Sequence, residues 1–187
     1  MESSMNKKTD EDIALQVQKG DTESFGILVE RYQAKLLRYG KKFLFNNYDI
    51  EDVVQDIFIR AYKNIQGFNT KMKFSPWIYR IAHNEFINTI QKIKRMPLLV
   101  FDFDQFIPHL FAKETTDQEV NEKDIKAMLD DGLGKTDRKY REPLILYYLE
   151  EMSYQEISEI LHIPVSTVGI RLKRGKEFLK RHLNKII

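Results

Sequence analysis

Ser153-Tyr-Gln-Glu-Ile-Ser-Glu-Ile-Leu-His-Ile-Pro-Val-Ser-Thr-Val168 is the stretch from which the fold can be read most directly. Ser153 and Glu156 have the spacing of a capping box, in which the serine accepts from a first-turn amide and the glutamate reaches back to the cap. Ile157, Ile160 and Leu161 then give a short helix one apolar face. His162-Ile-Pro164 breaks it, because proline disfavours helix in the residue before it. A second helix follows, with Val168 and Leu172 turned inward. Its other side carries Ser166, Thr167, Gly169, Ile170, Lys173, Arg174 and Lys176, with Tyr154 at the start of the first helix. Two helices across a brief turn, the second basic, fit a B-form major groove. Lysine and arginine there neutralise phosphates or read guanine, and Ile170 can touch a thymine methyl. The bland reading is a helical hairpin with a solvated lysine face; the cap, the proline turn and the basic second helix together weigh against it.

Working outward, helical periodicity dominates the chain. Phe25, Leu28, Val29, Tyr32, Leu36, Tyr39 and Phe43 repeat at three and four, an apolar stripe five turns long. Asp49 is the expected cap for the next helix, with Glu51 and Asp52 in its first turn and Val53, Val54, Ile57 and Ala61 as its buried face. Ser75-Pro76 signals a further start, and that helix runs to about Arg95 before Pro97. Almost nothing alternates with period two. The expected fold is all-α: two small helical domains, 10–95 and 123–187, joined by an extended acidic linker at 96–122, with the helix-turn-helix in the second.

Charge supports that division. Among 187 residues with a net charge of +2, positions 1–95 carry 16 basic and 12 acidic side chains, 96–137 carry 4 and 10, and 138–187 carry 10 and 6. Two basic ends flanking an acidic middle favour a polyanionic partner more than one basic block would. The hydrophobic fraction of 42% with 31% charged residues fits a folded soluble protein. Cysteine is absent, which removes disulfides and thiolate zinc sites and suits a reducing cytoplasm. No run approaches the length of a membrane span, so no membrane insertion is expected. His83, His109, His162 and His182 are dispersed, and no metal or other cofactor is expected. Glu150, Glu151 and Glu156 are surface glutamates beside helix ends rather than an acid–base set, and no phosphate-binding glycine loop is present.

A second constellation precedes the linker. Arg80, Asn84, Asn88, Gln91 and Arg95 fall at intervals of four, four, three and four, one polar face of amides and guanidiniums that suits base edges and phosphates. Before it, Gly67-Phe-Asn-Thr-Lys-Met-Lys-Phe-Ser-Pro-Trp77 interleaves cations with aromatics, the chemistry that holds unstacked single-stranded bases. Taken alone, Phe68, Phe74 and Trp77 read more readily as core, and the nucleic-acid reading draws its weight from the company of the helix-turn-helix.

Asp52-Val-Val-Gln-Asp-Ile-Phe-Ile-Arg-Ala-Tyr62, Trp77-Ile-Tyr-Arg-Ile-Ala-His-Asn84 and Met152 to Val168 followed by Arg171-Leu-Lys-Arg174 resemble, in order and spacing, the extracytoplasmic-function group of bacterial sigma factors. The resemblance implies a non-enzymatic transcription initiation factor. It would bind the clamp coiled coil and flap of RNA polymerase core, recognise a two-part promoter, and have an anti-sigma partner. It places Asp49, Asp52, Gln55, Asp56, Ile59 and Arg60 on the core-binding face. Phe68, Asn69, Lys71, Lys73, Phe74, Arg80, Asn84, Asn88, Lys92 and Arg95 would recognise and open the minus-ten element, with Asn84 near a base flipped from the non-template strand. The helix-turn-helix would read the minus-thirty-five element, and the linker would thread the channel later used by RNA. One departure stands out. Where the group commonly has Thr-Val-Lys-Ser-Arg, this chain has Thr167-Val-Gly-Ile-Arg171, which removes a cation and a hydroxyl. Glycine there also costs about 1 kcal/mol of helix stability relative to alanine. Two other readings remain at this point. A stand-alone helix-turn-helix regulator leaves the Phe68 to Arg95 segment unexplained. A helical nucleic-acid enzyme would need a carboxylate or histidine cluster.

Overall fold

The computed structural model describes residues 8–44, 50–95 and 122–183, with side chains described within 8–42, 50–92 and 128–183. Asp49, His109, the linker at 96–121 and the side chains of Phe43 and Arg95 lie outside what is described. Those residues form eight α-helices and no strand: α1 Asp10–Gln18, α2 Phe25–Leu44, α3 Ile50–Asn64, α4 Phe74–Arg95, α5 Glu122–Lys135, α6 Arg138–Tyr148, α7 Tyr154–Leu161 and α8 Val165–Leu183. Single 3₁₀ turns at Thr22–Ser24 and Ile65–Gly67 join α1 to α2 and follow α3.

The first four helices share one core. The α2 stripe is buried at Phe25, Leu28, Tyr32, Leu36 and Tyr39, against Val54, Ile57, Phe58 and Ala61 of α3 and Phe74, Ile78, Tyr79, Ala82 and Phe86 of α4. Gly40 permits the close approach of these helices: a Cβ there would lie 2.8 Å from Ile50 Cγ2 and 2.9 Å from Phe86 Cζ. Helix α1 adds Ile13, Ala14 and Val17 to the same core. Its start is fixed by a Thr9–Asp12 capping box, a threonine-x-x-acid signal visible in the sequence.

Helix α4 begins at Phe74, not at Pro76. Ser75 and Pro76 lie in its first turn, where proline's missing N–H is no loss. The Phe74 N–H instead donates to Glu11 Oε1 at 2.8 Å, so a carboxylate 63 residues upstream serves this end of the helix. Gln18 holds the preceding loop from the same side, donating to the carbonyls of Ile65 at 2.6 Å and Phe68 at 2.8 Å.

The second group of helices is built around α8, which runs for 19 residues. Val168 and Leu172 pack with Ile157, Ile160 and Leu161 of α7 and with Leu144 and Ile145 of α6. Gly175 lets α8 and α6 touch, since a Cβ there would lie 2.8 Å from Leu144 Cδ1 and 3.2 Å from the Tyr140 carbonyl. The tight turn between α7 and α8 uses a left-handed His162, with φ of 52°. The Ser158 hydroxyl donates to the Ile163 carbonyl at 2.6 Å across that turn.

The two groups touch. Helix α4 packs along α7, and α2 meets α5 and α6. Between them, the Arg38 guanidinium donates to both carboxylate oxygens of Glu150, 2.9 Å from Nη2 to each. The Tyr79 hydroxyl donates to the same carboxylate. Lys73 pairs with Glu156 at 2.8 Å, and Lys42 pairs with Asp130.

Candidate nucleic-acid interface

Three of the side-chain sets singled out in the sequence lie on exposed faces, and two aromatic residues are buried instead. On α8, Ser166, Ile170, Lys173, Arg174 and Lys176 are exposed, while Thr167 and Gly169 are half-buried. The orientation follows from local chemistry. The Ser153–Glu156 capping box is fully formed, with the Ser153 N–H donating to Glu156 Oε2 at 2.7 Å and the Glu156 N–H donating to Ser153 Oγ at 3.3 Å. That fixes α7, and the His162 turn then lays α8 across it with Val168 and Leu172 inward. The remaining face carries three cations within four residues, the charge density a phosphate backbone attracts.

On α4, Arg80, Asn84, Asn88, Gln91 and Lys92 are all exposed. The apolar side of the helix (Ile78, Ala82 and Phe86) faces the core, so the four-residue spacing turns the amides and guanidinium together towards solvent. Asn88 also donates to Glu85 at 3.4 Å, and Glu85 pairs with Arg60 of α3 at 3.1 Å. In the preceding loop, Asn69, Lys71 and Lys73 are exposed.

Phe68 and Phe74 are corrected by the structure. They are 5% and 0% exposed, so neither presents a ring to an unpaired base. Phe68 stands edge-on to Phe74 at 5.4 Å and 5.0 Å from Trp77, and Phe74 also meets Tyr32 at 5.4 Å. The aromatics of the segment are thus the packed underside of the loop. Its lysines and Asn69 form the upper side, with Met72 exposed among them.

On α3, Asp52, Gln55, Asp56, Ile59 and Arg60 are exposed together, opposite buried Val54, Ile57, Phe58 and Ala61. Ile59 is 50% exposed, an apolar residue set among charges. Gln55 and Ile59 also line a cleft of about 340 Å³ with Val29, Gln33 and Leu37 of α2.

The interdomain contacts could not be read from the sequence. Arg38, Lys42, Asp130 and Glu150 are single polar residues with no local motif, Tyr79 lies in the Trp77 to Asn84 stretch with nothing there to signal its partner, and Glu142 lies in a helix interior. The Glu142 carboxyl is buried and faces His83 Nδ1 of α4 at 3.8 Å. Burial pushes its pKa up to about 7, against the downward pull of Arg138, Arg141 and Arg171. His83 is lowered to about 4, first by burial and then by Arg138. Among the described residues no group of histidine, aspartate and glutamate could hold a metal ion, and no helix is long and apolar enough to cross a membrane.

Comparison with known proteins matches these two regions separately. Residues 28–96 match Sigma-70 region 2, and residues 128–179 match Sigma-70, region 4. The chain is 36% identical to the ECF RNA polymerase sigma factor SigW of Bacillus subtilis over 90% of this chain and 93% of that one. It is 31% identical to the ECF RNA polymerase sigma-E factor of Haemophilus influenzae over 96% and 97%. Its fold superposes on CnrH, solved in complex with the cytosolic domain of CnrY, with a TM-score of 0.70 at 24% identity, covering 95% of this chain and 99% of that one. It also superposes on RpoE of Bartonella quintana, solved with the anti-sigma factor NepR, with a TM-score of 0.69 at 20% identity, covering 87% and 98%. With an exposed amide-and-guanidinium face in the first matched region and a capped helix-turn-helix in the second, this chain belongs to the ECF RNA polymerase sigma factors.

Proposed function

We propose that this sigma factor binds RNA polymerase core and holds a promoter at two points, one in each helical domain. The observation that carries this reading is the pair of exposed faces on α4 and α8, both rich in hydrogen-bond donors and cations, one in each group of helices. Arg80, Asn84, Asn88 and Lys92, with Asn69, Lys71 and Lys73 of the preceding loop, take the minus-ten element. Tyr154, Ser166, Thr167, Gly169, Ile170, Lys173, Arg174 and Lys176 take the minus-thirty-five element. Asp52, Gln55, Asp56, Ile59 and Arg60 dock on core.

The chemistry is binding alone. Capturing a splayed base offsets the cost of unstacking, so melting needs no catalytic group, and the protein is not an enzyme. It acts in the cytoplasm, where core polymerase and promoter DNA are found. An anti-sigma protein, of the kind solved in complex with RpoE of Bartonella quintana, is its expected regulator.

The packed arrangement of the two domains sets a condition on this function. Elements twenty-five base pairs apart are separated by about 85 Å at 3.4 Å per base pair. Helices α4 and α7 in direct contact do not span that distance. The clasp at Glu150 therefore opens when core binds, and the linker sets how far the domains separate.

Transcription with purified core polymerase and this protein on genomic fragments tests the reading. Promoter-specific transcripts dependent on the protein are expected, together with an isolable complex with core. A footprint by the protein alone, with neither transcripts nor complex, would replace it with a stand-alone regulator.

A further inference from the structure

The recognition helix carries two glycines within seven residues, and only one of them is required by the fold. Gly175 cannot take a side chain without displacing Leu144 and the Tyr140 carbonyl. Gly169 can. It sits in regular helix without a positive φ, and a Cβ there would meet only Tyr154 Cε2, at 3.5 Å, an ordinary van der Waals contact. Alanine would fit, and the helix would favour it. The fold therefore does not require glycine at 169, and the missing side chain leaves a gap beside Tyr154 that is open from outside the protein.

What surrounds the gap describes what would fit it. One wall is the Tyr154 ring, 40% exposed and held edge-on at 5.4 Å by Tyr147. The next residue is Ile170, 54% exposed, the only large aliphatic side chain this face of the helix presents so fully. The flanking positions are Ser166 one turn earlier and Lys173 and Arg174 one turn later, all exposed. A single exposed isoleucine is unremarkable on its own. An isoleucine beside a side-chain gap and a tyrosine wall, framed by cations that suit phosphates, is an apolar surface aimed into a polyanion. In the major groove the apolar group a protein can read is the 5-methyl of a pyrimidine.

We propose that Tyr154, Gly169 and Ile170 form an apolar reader that selects a pyrimidine 5-methyl group in the upstream promoter element. Gly169 lets the base edge come close to the helix backbone, Ile170 covers the methyl, and Tyr154 closes the side away from solvent. This rests on the minus-thirty-five role proposed above and specifies it. Where a lysine–serine pair would select by hydrogen bonds, this chain selects by shape and methyl contact.

The test uses holoenzyme, reconstituted from core polymerase and the full chain, on a promoter fragment that templates a specific transcript. Each upstream thymine is replaced singly by deoxyuridine, which removes the methyl and leaves the hydrogen-bonding edge intact. At the contacted position, affinity is expected to fall roughly fourfold, the effect of one buried methyl. Replacing that T·A pair with C·G or with 5-methylcytosine·G separates methyl from base identity, and the methylated pair should bind more tightly. Ile170→Ala should abolish the difference between thymine and deoxyuridine. Lys173→Ala should weaken both equally and reduce the salt dependence by about one phosphate contact. Gly169→Ala should weaken upstream binding while raising the unfolding temperature. Deoxyuridine-insensitive binding at every upstream thymine, or retained sensitivity in Ile170→Ala, would overturn the methyl reader. Wild-type binding by Gly169→Ala would overturn the close approach. Loss of promoter-specific transcription with the unmodified protein would instead take down the two-point promoter reading on which it rests.

Discussion

The Arg38 guanidinium and the Glu150 carboxylate, 112 residues apart in sequence, form a two-oxygen ion pair across the two domains, with Nη2 2.9 Å from each oxygen and Nε 3.1 Å from Oε1. The Glu150 side chain is 3% exposed and Arg38 is 45% exposed, so the acid is the buried partner and the arginine covers it. Removing the arginine takes away the charge partner of this carboxylate and leaves the Tyr79 hydroxyl as its remaining hydrogen-bond partner among the described residues. Arg38→Ala is expected to weaken the packed arrangement by about 1–3 kcal/mol. Fluorescence transfer between dyes on α2 and α8 reads it: the free variant should show a longer separation, approaching that of wild type bound to core. An unchanged separation would show that apolar contacts along α4 and α7 hold the domains without the clasp.

The pH dependence of the same interface follows from Glu142 and His83, which face each other at 3.8 Å. Raising the Glu142 pKa from 4.5 to about 7 means the folded state keeps its proton over that range. The stability this contributes is fully present below pH 4.5 and is lost as pH rises through about 7. Lowering His83 from 6.5 to about 4 works the other way: its contribution is present above pH 6.5 and lost as pH falls through about 4. Between pH 4.5 and 6.5 the two slopes oppose each other, and from 6.5 to 7 only the downward slope of Glu142 remains. Thermal melts of wild type are expected to be nearly flat from pH 5 to 6.5 and then to fall. Glu142→Gln should remove that fall and leave stability rising between pH 4.5 and 6.5. A variant profile parallel to wild type would assign the titration to other groups.

The helix-turn-helix was legible because each of its devices is local. Ser153 and Glu156 are three residues apart, Pro164 follows the break directly, and Val168 and Leu172 repeat at one turn. The α1 start is equally local, in Thr9 and Asp12, although the apolar periodicity that guided the sequence reading passed over it. The start of α4 was not, because its capping carboxylate, Glu11, comes from another helix and Ser75 offered a nearer candidate. Phe68 and Phe74 show a different limit. Cations interleaved with aromatics describe a loop with two sides, and only packing against Tyr32 and Trp77 decides which side holds the rings. Arg38 and Glu150 carried no signal at all, since an isolated arginine and an isolated glutamate look like any solvated surface pair until the domains meet.

Gly175 separates packing from helix propensity. Gly175→Ala should stabilise an isolated helix by about 1 kcal/mol. In the folded protein it forces Leu144 and the α6 backbone away, and overpacking of that kind costs typically 1–3 kcal/mol. A net loss in denaturant midpoint is expected, with reduced upstream-element binding as the α6–α8 seat shifts. A stabilised Gly175→Ala variant would mean that Leu144 repacks freely.

Asn84 tests whether the α4 face opens DNA or merely holds it. It is exposed one turn beyond Arg80 and one turn before Asn88, and no part of the interdomain clasp depends on it. Loss of its amide therefore leaves fold, clasp and core docking intact. Asn84→Ala is expected to bind core with wild-type affinity and to form a closed promoter complex. It should reduce strand opening by roughly tenfold, the effect of about 1.4 kcal/mol in one charged or well-placed hydrogen bond. Permanganate reactivity of unpaired thymines, measured beside core-binding affinity, distinguishes the steps. A pre-melted promoter bubble should restore most of the lost transcription, because the cost of unstacking is then already met. Equal loss of core binding and opening would move Asn84 into the structural scaffold, and failure of the bubble to rescue would place its contact after melting rather than during it.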